Sequence, residues 1–316
     1  MQLLIPYIVF SFCVNGIFSV DTNTFSSQHT KLLFDDSAII RNGTSEDHHD
    51  TRSLQEPSAN QIVRFVAFGD TPHGDQERKR FPLQLDRLES RSDFLLHLGD
   101  IHERQQECDL THFDEAAEAL RHYTRVPTFI IPGEVDWYTC LNQEDAWTRW
   151  SQHFLNFQDN WNHQFNVRHQ KNRPENFAFF HKGVLFVGFH IISATVLDWG
   201  AWKEQVQDDV LWLEKEVVSN AFSDSTTAIV FVAHAKPHHR RYRAFYEAFI
   251  QVTANIKKPL LYLHTDEQEF QIARDFPVKN ILRVAVGRGG DEDPLEITVD
   301  PSSDIPFTVK RRSIPE

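Results

Sequence analysis

The chain has 316 residues, too many for one small core and enough for one large α/β domain or two modest ones. With 32 Lys and Arg against 45 Asp and Glu, the formal charge is −13, which argues against general nucleic-acid binding through a phosphate backbone. Apolar residues at 41%, with 26 Phe and 7 Trp, exclude a disordered chain, and the lone Met1 excludes a methionine-rich groove or methionine copper ligands.

Residues 3–18 (LLIPYIVFSFCVNGIF) are apolar but broken by Pro6 and Asn15, and short for a bilayer span of roughly 20 residues. They read as a signal peptide over residues 1–19, cut after a small residue such as Gly16 or Ser19. No later segment is suited to be a transmembrane helix of the mature chain. Residues 20–60, rich in Ser, Thr, Asn, Asp and His without an apolar period, read as a flexible arm. The sequon Asn42-Gly43-Thr44 in that arm agrees with a secretory route and a secreted or extracellular protein.

From Gln61 onward, short apolar runs alternate with amphipathic stretches, which marks one domain over residues 61–309 ahead of a tail at 310–316. Strands are predicted at 62–68, 94–98, 128–131, 177–180, 184–190, 228–233, 259–263, 281–286 and 295–299. Helices are predicted at 81–91 and at 113–122, the second with Thr111 and Asp114 as a capping box. Trp199, Trp202, Val206, Val210, Leu213 and Val217 recur at helical spacing, predicting an amphipathic helix with both Trp in the core. Strands separated by helices imply a parallel sheet with right-handed crossovers. Cys13 leaves with the signal peptide, so Cys108 and Cys140 remain as an even pair in an oxidising compartment, either one disulfide or two buried thiols.

Three strands end in acidic turns: Phe68-Gly69-Asp70, Leu98-Gly99-Asp100 and Pro132-Gly133-Glu134-Val135-Asp136. Two more end at His234 and at His264-Thr265-Asp266. In an open parallel sheet the ligand crevice lies beyond the carboxyl ends of the strands, so these groups converge. Clustered carboxylates are costly unless a cation neutralises them, and mixed imidazole and carboxylate donors suit a hydrolytic metal centre. Gly287-Arg288-Gly289-Gly290 is either a plain glycine turn or a loop offering amides and a guanidinium to an anion.

In order and spacing, GDTPHG, LGDIHER, PGEVDW, VAHAK and YLHTDEQ resemble the calcineurin-like metallophosphoesterase superfamily from about Ile62 to Val299. The likeness is nearest to an exported branch that also carries RPENFAF and GVLFVG segments, present here from Arg173 and from Gly183, and a Cys after the second motif. The resemblance implies an α/β fold, a four-layer αββα sandwich, with two metals at the sheet ends. Asp100 would bridge them, Asp70 would serve one, and Glu134, His234 and Asp266 the other. A metal-activated hydroxide would then attack a small phosphoester.

The sequence also departs from the family pattern. Val135 stands where the superfamily has the His that protonates the leaving group, Gln268 replaces the last metal-binding His, and Pro72 replaces the His of the first motif. Glu134 and Asp266 add negative charge, favouring a hard cation such as Mn or Mg over Zn; the expected cofactor is one or two divalent or trivalent ions drawn from Mn, Fe, Zn and Mg. His73, His102, His190, His238 and His239 lie near motif residues. Asp136 and His238 are the candidate catalytic residues, His238 as substitute acid. The expected function is an exported metal-dependent phosphoester hydrolase, and the alternative is a weak or inactive member that binds a ligand or partner through the same cleft.

Overall fold

The computed structural model describes residues 61–88, 91–104, 108–193, 198–236, 238, 240–265, 267 and 269–311. The signal peptide, the arm with its sequon, His239, Asp266 and Gln268 lie outside the described residues.

The apolar runs fold as two sheets. The first contains β1 (Val63–Phe68), β2 (Phe94–His97), β3 (Thr128–Ile130), β11 (Leu295–Val299) and β12 (Phe307–Arg311), in the order β12-β11-β1-β2-β3. The second contains β4 (Arg168–His169), β5 (Phe177–His181), β6 (Val184–Phe189), β7 (Ala228–Ala233), β8 (Leu260–His264), β9 (Gln271–Ala273) and β10 (Ile281–Ala285), in the order β4-β5-β6-β7-β8-β10-β9. Strands β1, β2 and β3 run parallel, as do β6, β7, β8 and β10, so both sheets have a shared carboxyl end where loops can build a site.

Side-chain alternation shows how the layers stack. In β6, Val184 and Phe186 join a core shared with the first sheet, while Leu185, Val187 and Phe189 join a second core. Ring contacts cross between the sheets, with Phe94 to Phe186 at 5.0 Å and Phe129 stacked on Phe179 at 4.4 Å. Helices α1 (Gly74–Asp86) and α2 (Thr111–Tyr123) cover the first sheet, where Phe81 meets Phe68 at 5.8 Å. Helix α3 (Gln143–Phe154) adds Trp150 and Phe154 to the same core. Helix α4 (Trp199–Leu213) continues through a π-helical turn to the short α5 (Ser219–Ala221), and α6 (Arg243–Thr253) places Phe249 4.9 Å from Phe231 on the outer face of the second sheet. The result is the expected four-layer α/β sandwich.

Four details differ from expectation. Helix α1 begins at Gly74 rather than 81, because its first turns are polar and show no apolar period. Thr111 is the first residue of α2 and not its cap. Asp109 instead accepts from the Thr111 amide at 3.0 Å and from its hydroxyl at 2.6 Å, doing the work assigned to the Thr111–Asp114 box. Trp202 is in the core but Trp199 is 58% exposed at the start of α4. Residues 310 and 311 belong to the edge strand β12, so the domain runs beyond residue 309.

Cys108 and Cys140 form a disulfide with Cα atoms 5.5 Å apart, joining the loop after β2 to the loop after β3. The two positions are 32 residues apart, so the cross-link removes much denatured-state freedom. Replacing both with serine is expected to lower stability in urea unfolding by about 2–4 kcal/mol. A change under about 1 kcal/mol would mean that the loops are held by other contacts.

Candidate functional site

The acidic turns meet because glycine lets two backbones touch. Gly99 sits at φ 85°, and a Cβ there would collide with Gly133, whose own Cβ would collide with the Asp100 side chain. Asp70 and Asp100, each at φ 55°, turn sharply out of β1 and β2, and the Asp70 amide donates to the Gly99 carbonyl at 2.8 Å. Asp136 fastens these turns from below. Its fully buried carboxylate accepts from the amides of Asp100 (3.0 Å), Ile101 (2.6 Å) and Gly133 (2.7 Å).

Asp100 Oδ1 accepts from the Val135 amide at 3.0 Å, and its Oδ2 lies 3.5 Å from His234 Nε2. Burial pushes the Asp100 carboxyl up to about 7, with nearby Asp136 and Asp70 adding to the rise and His234 opposing it. His234 is buried under this turn at the end of β7, with Nδ1 2.7 Å from the Leu98 carbonyl oxygen. A carbonyl can only accept, so Nδ1 carries a proton and the Nε2 side of the ring faces Asp100. His73 Nε2 lies 3.4 Å from Asp70 Oδ1 and 3.1 Å from the Asp100 carbonyl oxygen. Glu134, only 6% exposed, is paired with the Arg104 guanidinium through Oε1 and accepts from the Ser193 hydroxyl at 2.7 Å through Oε2. Arg288 is held by Glu77 at 2.5 Å and Asp291 at 2.8 Å.

These groups line one open cavity of about 430 Å³, bounded by Asp70, His73, Asp100, Arg104, Glu134, Val135, Arg288 and Asp291. Its wall therefore carries four carboxylates and two guanidiniums, a lining suited to a cation together with a compact anion. Residues 63–267 match the sequence model of the family described as calcineurin-like phosphoesterase. The chain belongs to that family.

Solved structures similar to this calcineurin-like phosphoesterase include purple acid phosphatase from yellow lupin seeds, with TM-score 0.50 and 13% identity over 77% of this chain and 50% of that one. The 5'-nucleotidase of Candida albicans gives TM-score 0.49 and 13% identity over 78% of this chain and 51% of that one. GAP50, the anchor in the inner membrane complex of Plasmodium, gives TM-score 0.48 and 11% identity over 81% and 90%. At such identities the lupin likeness is one of fold alone, and the chain spans about half the length of the phosphatase and the nucleotidase. No curated protein matches the sequence.

Within this calcineurin-like phosphoesterase, Asp70, Asp100, Glu134 and His234 come together, while the two candidate catalytic residues do not face the cavity. Asp136 spends its carboxylate on three backbone amides, which corrects its reading as a catalytic group to that of a positioning residue. The His238 ring packs 4.9 Å from Tyr246 and 4.7 Å from Phe276, and burial lowers its pKa. It is not among the cavity-lining residues, which corrects its reading as the substitute acid. His190 is also removed from the cleft. It lies 2.9 Å from Glu175, accepts from the Trp137 indole at 3.1 Å and stacks on Trp147. His102 packs against Phe113 beside the disulfide. Arg104, although it closes the LGDIHER segment, Ser193 and Asp291 were given no role by the motif reading.

Proposed function

We propose that the protein is an exported, metal-dependent phosphoester hydrolase whose site is the cavity at the strand ends. The observation that carries this reading is the meeting of Asp70, Asp100 and Glu134, from three strand ends, in the lining of one cleft, with His234 from a fourth buried 3.5 Å behind Asp100. The donor set fits a divalent ion. His234 directs the Nε2 side of its ring toward Asp100 while its Nδ1 is anchored by a carbonyl, the arrangement that orients a metal-binding imidazole. Among the described residues, three donors lie within 4.8 Å of one another only at His102, Cys108 and Cys140, whose sulfurs are consumed by the disulfide. The cleft donors therefore must move inward to share an ion.

Asp70, Asp100, Glu134, His234 and Asp266 are the residues expected to hold one or two ions, Asp70 serving one and Glu134, His234 and Asp266 the other. Oxygen-rich donors favour Mn or Mg. When bound, such an ion supplies Lewis acidity toward phosphoryl oxygens and lowers the pKa of water. The chain itself contributes the Arg288 guanidinium, fixed by Glu77 and Asp291, to orient the phosphoryl group. Export is supported by the disulfide, and no helix of the described residues is long and apolar enough to cross a membrane. We retain the division into signal peptide 1–19, arm 20–60 and catalytic domain from 61, the last extended to Arg311 by β12.

The test is metal content of the purified protein together with hydrolysis of a generic aryl phosphate in added Mn, Zn, Fe or Mg. Asp100→Asn is expected to cost bound metal and at least about 100-fold in turnover, and Asp70→Asn less, because a bridging carboxylate serves the whole centre. Small and equal effects on bound metal would count against a shared centre. Val135 and the engagement of Glu134 by Arg104 favour a second reading, a ligand-binding member with little catalysis. Absence of both metal and turnover would select it.

A further inference from the structure

The Arg104–Glu134 pair has a consequence for how many metal ions the centre takes. Glu134 is buried, and both its oxygens are engaged, Oε1 by Arg104 and Oε2 by Ser193. Before Arg104 the Ile101 amide donates to Asp136, and Cys108 is tied by the disulfide to the loop bearing Glu134. The Arg104 side chain is 63% exposed as a whole, lines the cavity and pairs its guanidinium with the buried Glu134 carboxylate.

A guanidinium cannot lose its proton in the working pH range. A metal ion drawing on Glu134 would therefore have to expel Arg104 or sit beside its fixed positive charge. At separations of a few ångströms that repulsion weakens metal binding by about a hundredfold or more. On the other side of the cavity, Asp70 and Asp100 are paired with His73 and His234, and Arg288 reaches His73 Nδ1 at 3.4 Å. Arg288, the other guanidinium in the lining, is already neutralised by Glu77 and Asp291.

We propose that Arg104 is a built-in cation that takes the place of a second metal at Glu134, so that the centre binds a single ion, on the side of Asp70 and Asp100. The proposal rests on the metal-centre reading above. It gives Arg104 two tasks: neutralising Glu134 without Lewis acidity, and presenting planar N–H donors to the phosphoryl oxygens of a bound ester.

The experiment is equilibrium dialysis of metal-stripped, full-length protein against Mn²⁺, with bound metal counted and the Mn²⁺ electron paramagnetic resonance spectrum recorded. The unaltered protein is expected to bind one Mn²⁺ with the spectrum of an isolated ion. Arg104→Met, a substitution at a largely exposed side chain, is expected to bind a second Mn²⁺ and show spin coupling between the ions, while Arg104→Lys keeps a single ion. Glu134→Gln should leave affinity for the first ion within about threefold, whereas loss of a true ligand costs at least ~10-fold.

Two coupled ions in the unaltered protein would overturn the Arg104 assignment and leave the metal-centre reading standing. One ion in both the unaltered protein and Arg104→Met would likewise overturn it. No Mn²⁺ in either protein would overturn the proposal and the metal-centre reading together.

Discussion

Asp136→Ala is expected to destabilise the protein by about 3 kcal/mol or more in chemical denaturation, and Asp136→Asn to recover little of that loss. The Asp136 carboxylate has no solvent exposure and receives three amides, from Asp100, Ile101 and Gly133. Alanine leaves all three donors buried without acceptors, at about 1–3 kcal/mol each before relaxation. Asparagine keeps one oxygen but turns an NH₂ toward at least one of the same donors, replacing attraction by repulsion. Because two of the three amides belong to the turn that carries Asp100, the alanine variant should also lose order there, read as weaker metal binding in the fraction still folded. A loss under about 1 kcal/mol would show that the turns are held by other bonds. Full stability in Asp136→Asn with abolished turnover would restore a catalytic role to Asp136.

Strands β2, β3, β6, β7, β8 and β10 were legible because every residue in them is buried, so they read as nearly continuous apolar runs. What escaped detection is one-sided or short. Strand β12 lies at a sheet edge and exposes three of its five residues, and β4 and β9 have two and three residues. Helix α3 hides a core face of Ala146, Trp150 and Phe154 within a polar sequence, and α1 buries only Phe81, Gln84 and Leu85. At the site, a strand followed by glycine and a carboxylate is a local pattern, so Asp70, Asp100 and Glu134 could be read from the sequence and His234 could be placed at a strand end. Direction beyond the strand end is not local. His238 follows His234 by four positions, yet its ring lies against Tyr246 of α6 and Phe276 rather than in the cleft. Asp136 follows Glu134 by two and turns back to the amides of its neighbouring turns. Arg104 reaches Glu134 across 30 positions, a contact that no periodicity encodes.

If the protein turns over phosphoesters, aryl esters are expected to be cleaved faster than alkyl esters by a margin of about 10²–10⁴ beyond that of an enzyme with a placed general acid. The reason is the wall of the cavity. Val135, which lines it and is 3% exposed, offers no proton, so an alkoxide must leave unprotonated while a phenolate needs little help. With His238 packed on Tyr246 and Phe276, His238→Ala should leave the leaving-group dependence unchanged. Val135→His should raise alkyl-ester turnover by about tenfold or more, and aryl-ester turnover much less, because the imidazole would enter a cavity of about 430 Å³ with room for it. The remaining imidazole in the lining is His73, whose Nε2 is 3.1 Å from the Asp100 carbonyl oxygen and 3.4 Å from Asp70. A shallow dependence on the leaving group that becomes steep in His73→Ala would show that His73 delivers the proton, and would overturn the expectation built on Val135. A steep dependence that Val135→His flattens would establish that the missing proton is what limits alkyl esters.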